Sequence, residues 1–152
     1  MRDKLVSTGL ALVLGAGISS VALSQEKPET LVKERKAKMT LQWKYLKPLY
    51  LMSRDKLPYD AQTVERNAAF LDALDKMAWD DFDPSTKDLK TSALPSIWSE
   101  PAKFKAAQEH LEKSVAQLVK VAKGGSEAAV KSAIGDVNDA CNACHKDFRE
   151  RR

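Results

Sequence analysis

From residue 29 onward, apolar residues return every three or four positions, and clusters of proline, glycine and capping residues interrupt the rhythm. That spacing is helical, because side chains three or four apart share one face of a helix. No stretch alternates with the period of two that a half-buried strand needs. The first predicted helix covers about 29–53, with Leu31, Arg35, Met39, Gln42, Leu46 and Leu49 on one face and Trp43 and Tyr50 flanking it. Pro48 lies inside this segment and is expected to bend or loosen its last turn. After the connection RDKLPYD, Asp60 is a good N-cap for a second helix, whose apolar side is Val64, Phe70, Leu71, Leu74, Met77 and Ala78.

A longer link follows, WDDFDPSTKDLKTSALPSIWSEP. Its prolines and Asp, Ser and Thr content make it irregular, yet Trp79, Phe82, Leu94, Ile97 and Trp98 are too apolar for a free loop, so it is expected to wrap against the helices. Ser99 is read as the cap of a third helix, with Pro101 tolerated in its first turn. Phe104, Ala107, Leu111, Val115, Leu118 and Ala122 form its stripe, and Gly124-Gly125 ends it. Ser126 caps the last helix, which carries Val130, Ile134, Val137, Cys141, Cys144 or His145, and Phe148 along one side. Four long helices, two of them joined by a very short turn, predict an all-α antiparallel four-helix bundle.

The first 24 residues stand apart from that pattern. Arg2 and Lys4 precede an uncharged run from Leu5 to Leu23, and Ala22-Leu23-Ser24 places small residues ahead of the polar Gln25. This is the layout of a secretory signal peptide. An uncleaved anchor would have a similar apolar length, but the glycines, serines and small-residue exit favour cleavage. Residues 25–152 are then the working domain. Loss of Arg2, Asp3 and Lys4 lowers the formal net charge of +4 by one. Only the RERR tail is densely basic, so no lysine or arginine block suits a nucleic acid backbone.

The chain has two cysteines and two histidines, and three of these four residues stand together in Cys141-Asn142-Ala143-Cys144-His145. On a helix the two cysteines lie on nearly one side with the histidine adjacent. A C-x-x-C-H run is the attachment signature of c-type haem: two thiols add across two vinyl groups and a neutral imidazole ligates the iron. A disulfide across so short a loop would contribute little stability. A redox dithiol belongs at a helix N-terminus after a strand, where its thiol pKa falls. Zinc would need His110 as a fourth ligand, and His110 reads as a surface or edge residue beside the Leu111 stripe. Haem attachment fits best.

With CNACHKDFR near its end, PYDAQTV opening the second helix, LPSIWSEPAKF opening the third and VKERKAKM in the first, the mature chain resembles class II c-type cytochromes, the cytochrome c′ family. The resemblance implies an exported four-helix bundle with one covalent haem c, attached at Cys141 and Cys144 and ligated by His145. It further implies Arg35 at a haem propionate, redox partner proteins, and homodimerisation through the first helix. Met39 matches the position over the distal face, and a methionine there resembles the low-spin branch in which the thioether ligates iron. His145 and Met39 as axial ligands predict a periplasmic single-electron carrier that turns over no substrate, since a soft thioether raises the potential. The alternative is a five-coordinate gas-binding protein for nitric oxide or carbon monoxide. As a residue alone, Met39 is also good core filler. Arg149, four after His145, is expected near the proximal imidazole or as a solvated cation at the helix end. Trp43, Trp79, Phe82 and Trp98 are expected to line or cover the pocket.

Overall fold

The computed structural model describes residues 26–151; the predicted signal peptide lies outside them. The helices are α1 (Pro28–Ser53), α2 (Ala61–Met77), the single turn α3 (Ser96–Ser99), α4 (Pro101–Ala122) and α5 (Glu127–Phe148), with a 3-10 turn at Pro84–Thr86. Among the described residues the only strand-like pairing is an isolated bridge between Ala93 and Arg149. None of these helices is long and apolar enough to cross a membrane.

Local chemistry sets the helix ends. Pro28 opens α1, where its missing N–H costs nothing. The Asp60 carboxylate accepts the Thr63 N–H at 2.6 Å, and the Ser126 hydroxyl accepts the Ala129 N–H at 3.2 Å. Gly124 takes φ +147°, and a Cβ on Gly125 would stand 2.6 Å from the Val121 carbonyl oxygen. Only glycine therefore lets the chain reverse so tightly between α4 and α5. Helix α1 runs through Pro48 to Ser53, the span expected from the sequence, and one boundary differs from expectation. Ser99 ends the short α3 instead of capping α4, because Pro101 starts a new helix after Glu100.

The four long helices pack as a ring, α1 beside α2 and α5, and α4 beside α2 and α5. One core fills the end where α1 finishes and α2 begins. Leu46, Leu49 and Met52 meet Val64, Ala68 and Leu71, with Leu118 from α4 and Ile134 and Val137 from α5. A second cluster, Ile97, Phe104 and Phe148, lies where α4 begins and α5 finishes. Each end thus joins starts to finishes, which makes the bundle antiparallel. The 78–100 link wraps onto the second end, as its apolar content required. Phe148 O accepts from Leu94 N, Ser92 O from Glu150 N, and Asp147 O from the Ser96 hydroxyl.

Several side chains fall off the predicted faces. Phe70 and Met77 are exposed, since each lies about a quarter turn from the Leu71, Leu74 and Ala78 line that is buried. Phe70 instead stacks on Tyr45 of α1, ring centroids 4.7 Å apart. Trp43 is 51% exposed and lines no interior site.

Candidate functional site

Helix α5 delivers Cys141, Cys144 and His145 in its last two turns. Cys141 packs against the main core and Cys144 against the aromatic cluster, so the two thiols face the boundary between them. No disulfide joins them. Burial pushes Cys141 up to about 12 and Cys144 up to about 11. A redox dithiol needs the opposite shift, so that alternative fails on chemistry as well as on position. Burial, with the Arg149 charge acting in the same direction, lowers His145 and keeps its imidazole neutral, the form that ligates a metal. Among the described residues no group of three or more His, Cys, Asp and Glu side chains could hold a metal ion, and His110 is exposed. Zinc fails too.

Beside Cys144 lies a cleft of about 500 Å³ lined by Trp79, Phe82, Ile97, Trp98 and Phe104 among others. Its rings interlock: Phe82 and Phe104 centroids are 5.0 Å apart, Phe104 and Phe148 5.1 Å, and Trp79 meets Phe104 edge-on at 6.2 Å. The Trp98 indole N–H donates to the Phe82 carbonyl at 3.2 Å and fixes that wall. Trp79, Phe82 and Trp98 therefore line the pocket as read from the sequence; Trp43 does not.

Arg35 enters this end from α1 and is only 5% exposed. Its Nη1 donates to Asp81 O at 3.3 Å and to Thr86 Oγ1 at 3.4 Å, and the guanidinium lies 4.6 Å over the Phe82 ring. Its Nη2 has no partner, and neither have the buried Trp79 Nε1 and Asp75 Oδ1. Burying donors and a cation unpaired is costly, so a missing acceptor is implied. Paired thiols, an aromatic cleft and an unpaired guanidinium N–H fit one kind of occupant, a flat apolar ring system bearing carboxylates. A haem meets that description: thioethers at Cys141 and Cys144, His145 as iron ligand, and Arg35 at a propionate. Met39 follows Arg35 by one turn on the same face and is half-buried.

Sequence reading misplaced one residue and missed others. Arg149 is not stacked a turn beyond His145 on α5. The helix ends at Phe148, and Arg149 turns extended to bridge Ala93, although its charge still reaches His145. Lys38 and Asp81 were not foreseen. The Lys38 ammonium donates to both Asp81 carboxylate oxygens at 2.7 and 2.8 Å, pinning the 78–86 segment to α1. Buried Asp75 was also missed. Its spacing from Leu71 and Ala78, four before and three after, places it on the core face and was the available signal.

The comparisons with known proteins agree with this geometry. Residues 30–149 match the family model described as Cytochrome C′. The cytochrome c′ of Rubrivivax gelatinosus is 33% identical over 127 residues, 83% of this chain and 98% of the relative. A nitric oxide complex of a variant cytochrome c′ from Alcaligenes xylosoxidans is 32% identical with a TM-score of 0.76, covering 82% of this chain and 98% of that one. A carbon monoxide-bound variant of the same protein matches with equal identity, coverage and TM-score.

These relatives overturn one expectation. The electron carrier whose iron is closed by His145 and Met39 is contradicted by relatives that are cytochromes c′ with bound gases. A gas on the iron needs a coordination position that a permanently ligating thioether would fill.

Proposed function

The chain belongs to the cytochrome c′ family, whose members carry a covalently attached c-type haem, and we propose that it binds nitric oxide or carbon monoxide at that haem in the periplasm, turning over no substrate. The observation that carries this reading is the likeness, over nearly the full length of the relative, to a cytochrome c′ solved with each gas. When bound, the haem supplies an iron with one face open to a diatomic ligand.

The chain's own residues account for the rest. Cys141 and Cys144 fix the group to α5, and His145 presents a neutral imidazole to one face. Arg35 donates its free Nη2 to a propionate while Asp81 O and Thr86 Oγ1 hold the guanidinium in place. The aromatic walls at Trp79, Phe82 and Phe104 make the cleft side largely apolar, which favours a small uncharged ligand over an anion. Met39 bounds the gas side as a half-buried side chain. Export by residues 1–24 and pairing of two copies through α1 belong to the same proposal. Exposed Leu41 on α1 and Phe70 on α2, on the same side as the Tyr45 ring, support the pairing.

The test is spectroscopic. The oxidised holoprotein should show a high-spin, five-coordinate spectrum that Met39→Ala leaves unchanged in kind, and the reduced protein should bind carbon monoxide. A low-spin spectrum that turns high-spin in Met39→Ala would put the thioether on the iron, mark the methionine-ligated branch, and exclude the proposal.

A further inference from the structure

Asp75 is the one buried carboxylate of the α2 core face whose oxygen finds no partner. It is 3% exposed, and its Oδ1 accepts no hydrogen bond. Four residues on, just past the end of α2, stands Trp79, which lines the cleft and also carries a buried N–H without a partner. Across the bundle Asp75 acts electrostatically on the Cys141 thiol of α5. A carboxylate that is dry, unpaired and beside a haem-attachment residue has no structural task in view, and substitution by a neutral residue would cost the bundle nothing evident.

The charges around it leave it uncompensated. Glu112 faces it from α4, and Asp72 and Lys76 flank it on α2. Of the cations on α1 at this end, Lys38 pairs with the Asp81 carboxylate, and Arg35 donates to Asp81 O and Thr86 Oγ1 with its remaining Nη2 turned to the haem on the reading above. Desolvation first, then Glu112 and Asp72, raise its carboxyl to about 7, with Lys76 opposing. Cys141 is neutral throughout that range, as a thiol or as a thioether.

We propose that Asp75 is a proton-exchanging group that tunes the attached haem from its Cys141 side, taking up a fraction of a proton when the iron gains one electron. The inference rests on the haem reading above. Asp75 takes the proton from water as an external one-electron donor supplies the electron, and returns it on reoxidation. Its carboxylate favours the more positive, oxidised iron, so the midpoint potential falls as Asp75 deprotonates. A unit charge about 10 Å away at an effective dielectric of about 20 changes an equilibrium constant by about tenfold. For one electron, tenfold is about 59 mV.

Potentiometric titration of the matured holoprotein between about pH 5 and about pH 9 reads this directly. The wild-type midpoint should fall by about 59 mV across neutrality. Asp75→Asn should be flat there and lie near the wild-type acid plateau. An Asp75→Asn protein that keeps the wild-type fall overturns the proposal. Infrared difference spectra of wild type at neutral pH should gain a protonated-carboxyl band on reduction; its absence overturns the proposal without any variant. Haem content and carbon monoxide binding are measured on the same samples. Intact haem and gas binding with a flat wild-type potential sink Asp75 alone, whereas a haem-free product sinks the underlying reading as well.

Discussion

Two ion pairs in this bundle have nearly the same length and very different surroundings, and the difference predicts their worth. Lys38 reaches Asp81 at 2.7 Å, with side chains 22% and 3% exposed; Lys76 reaches Asp72 at 2.6 Å, with side chains 68% and 32% exposed. Coulomb attraction at about 4 Å is about 4 kcal/mol at the dielectric of a protein surface region and about 1 kcal/mol in water. Removing one partner of a buried pair typically costs about 3–5 kcal/mol, because the other charge is left dry. Two neighbours soften that here. Glu34 lies 3.9 Å from the Lys38 ammonium, and the Arg35 guanidinium is close enough to feel the Asp81 charge. The coupling energy of Lys38 with Asp81 should therefore be about 2–3 kcal/mol, against about 0.3–0.5 kcal/mol for Lys76 with Asp72. Lys38→Met, Asp81→Asn and the double variant form one cycle; Lys76→Met, Asp72→Asn and their double form the other. Urea unfolding of the holoproteins, followed by far-ultraviolet dichroism and by the haem band, gives the six differences. Equal couplings in the two cycles would refute the claim that burial, and not distance, sets the strength of the Lys38 latch.

Asp75 predicts a pH dependence of stability with a definite sign. Its folded pKa of about 7 lies above the unfolded value of about 3.9, so the native state binds the extra proton. Its contribution is therefore fully present below about pH 4 and is lost as pH rises through about 7, by up to roughly 4 kcal/mol. Asp75→Asn should raise the melting temperature at pH 8 far more than at pH 5, and an equal effect at both would show that the carboxyl does not titrate there. Leu41→Lys tests the pairing of two copies: light scattering should show the wild type as a dimer and the variant as a monomer with unchanged dichroism, while a wild-type monomer would refute pairing.

The sequence made the bundle legible because burial follows a period that side-chain type reports. Val64, Leu71, Leu74, Phe104, Leu111, Val115, Leu118, Val130, Ile134 and Val137 are all buried where the helical stripe placed them. Asp60 and Ser126 cap as their side-chain chemistry dictates. The reading of a haem site at Cys141, Cys144 and His145 rests on three reactive side chains in five residues, which need no tertiary information. What failed depends on neighbours. Phe70 finds Tyr45 across the α1–α2 groove, and Arg149 leaves α5 because Ala93 of the wrapping link pairs with it. Met39 misled for a different reason: a residue type that can ligate iron does not say whether it does.

Polar groups buried without partners gather at one end of this molecule, and that asymmetry ties the fold to its chemistry. The end built from Leu49, Val64, Leu118 and Ile134 is mostly apolar, its buried Asn67 is paired to Tyr45 O, and it supplies the packing that holds four helices together. The opposite end buries Arg35, Asp75 and Asp81 and leaves one atom each of Arg35, Asp75 and Trp79 unsatisfied. A core alone would not retain such groups, because each unpaired one costs about 1–3 kcal/mol or more. They are tolerable if a ligand completes some of them and the protonation of another varies with the state of that ligand. Arg35 belongs to the first kind, since a guanidinium stays charged and can only be completed by an acceptor. Asp75 belongs to the second, since a carboxyl can relieve its own burial by taking a proton. On the proposed reading the two residues would divide the work at the haem, one fixing where it sits and the other answering to its charge.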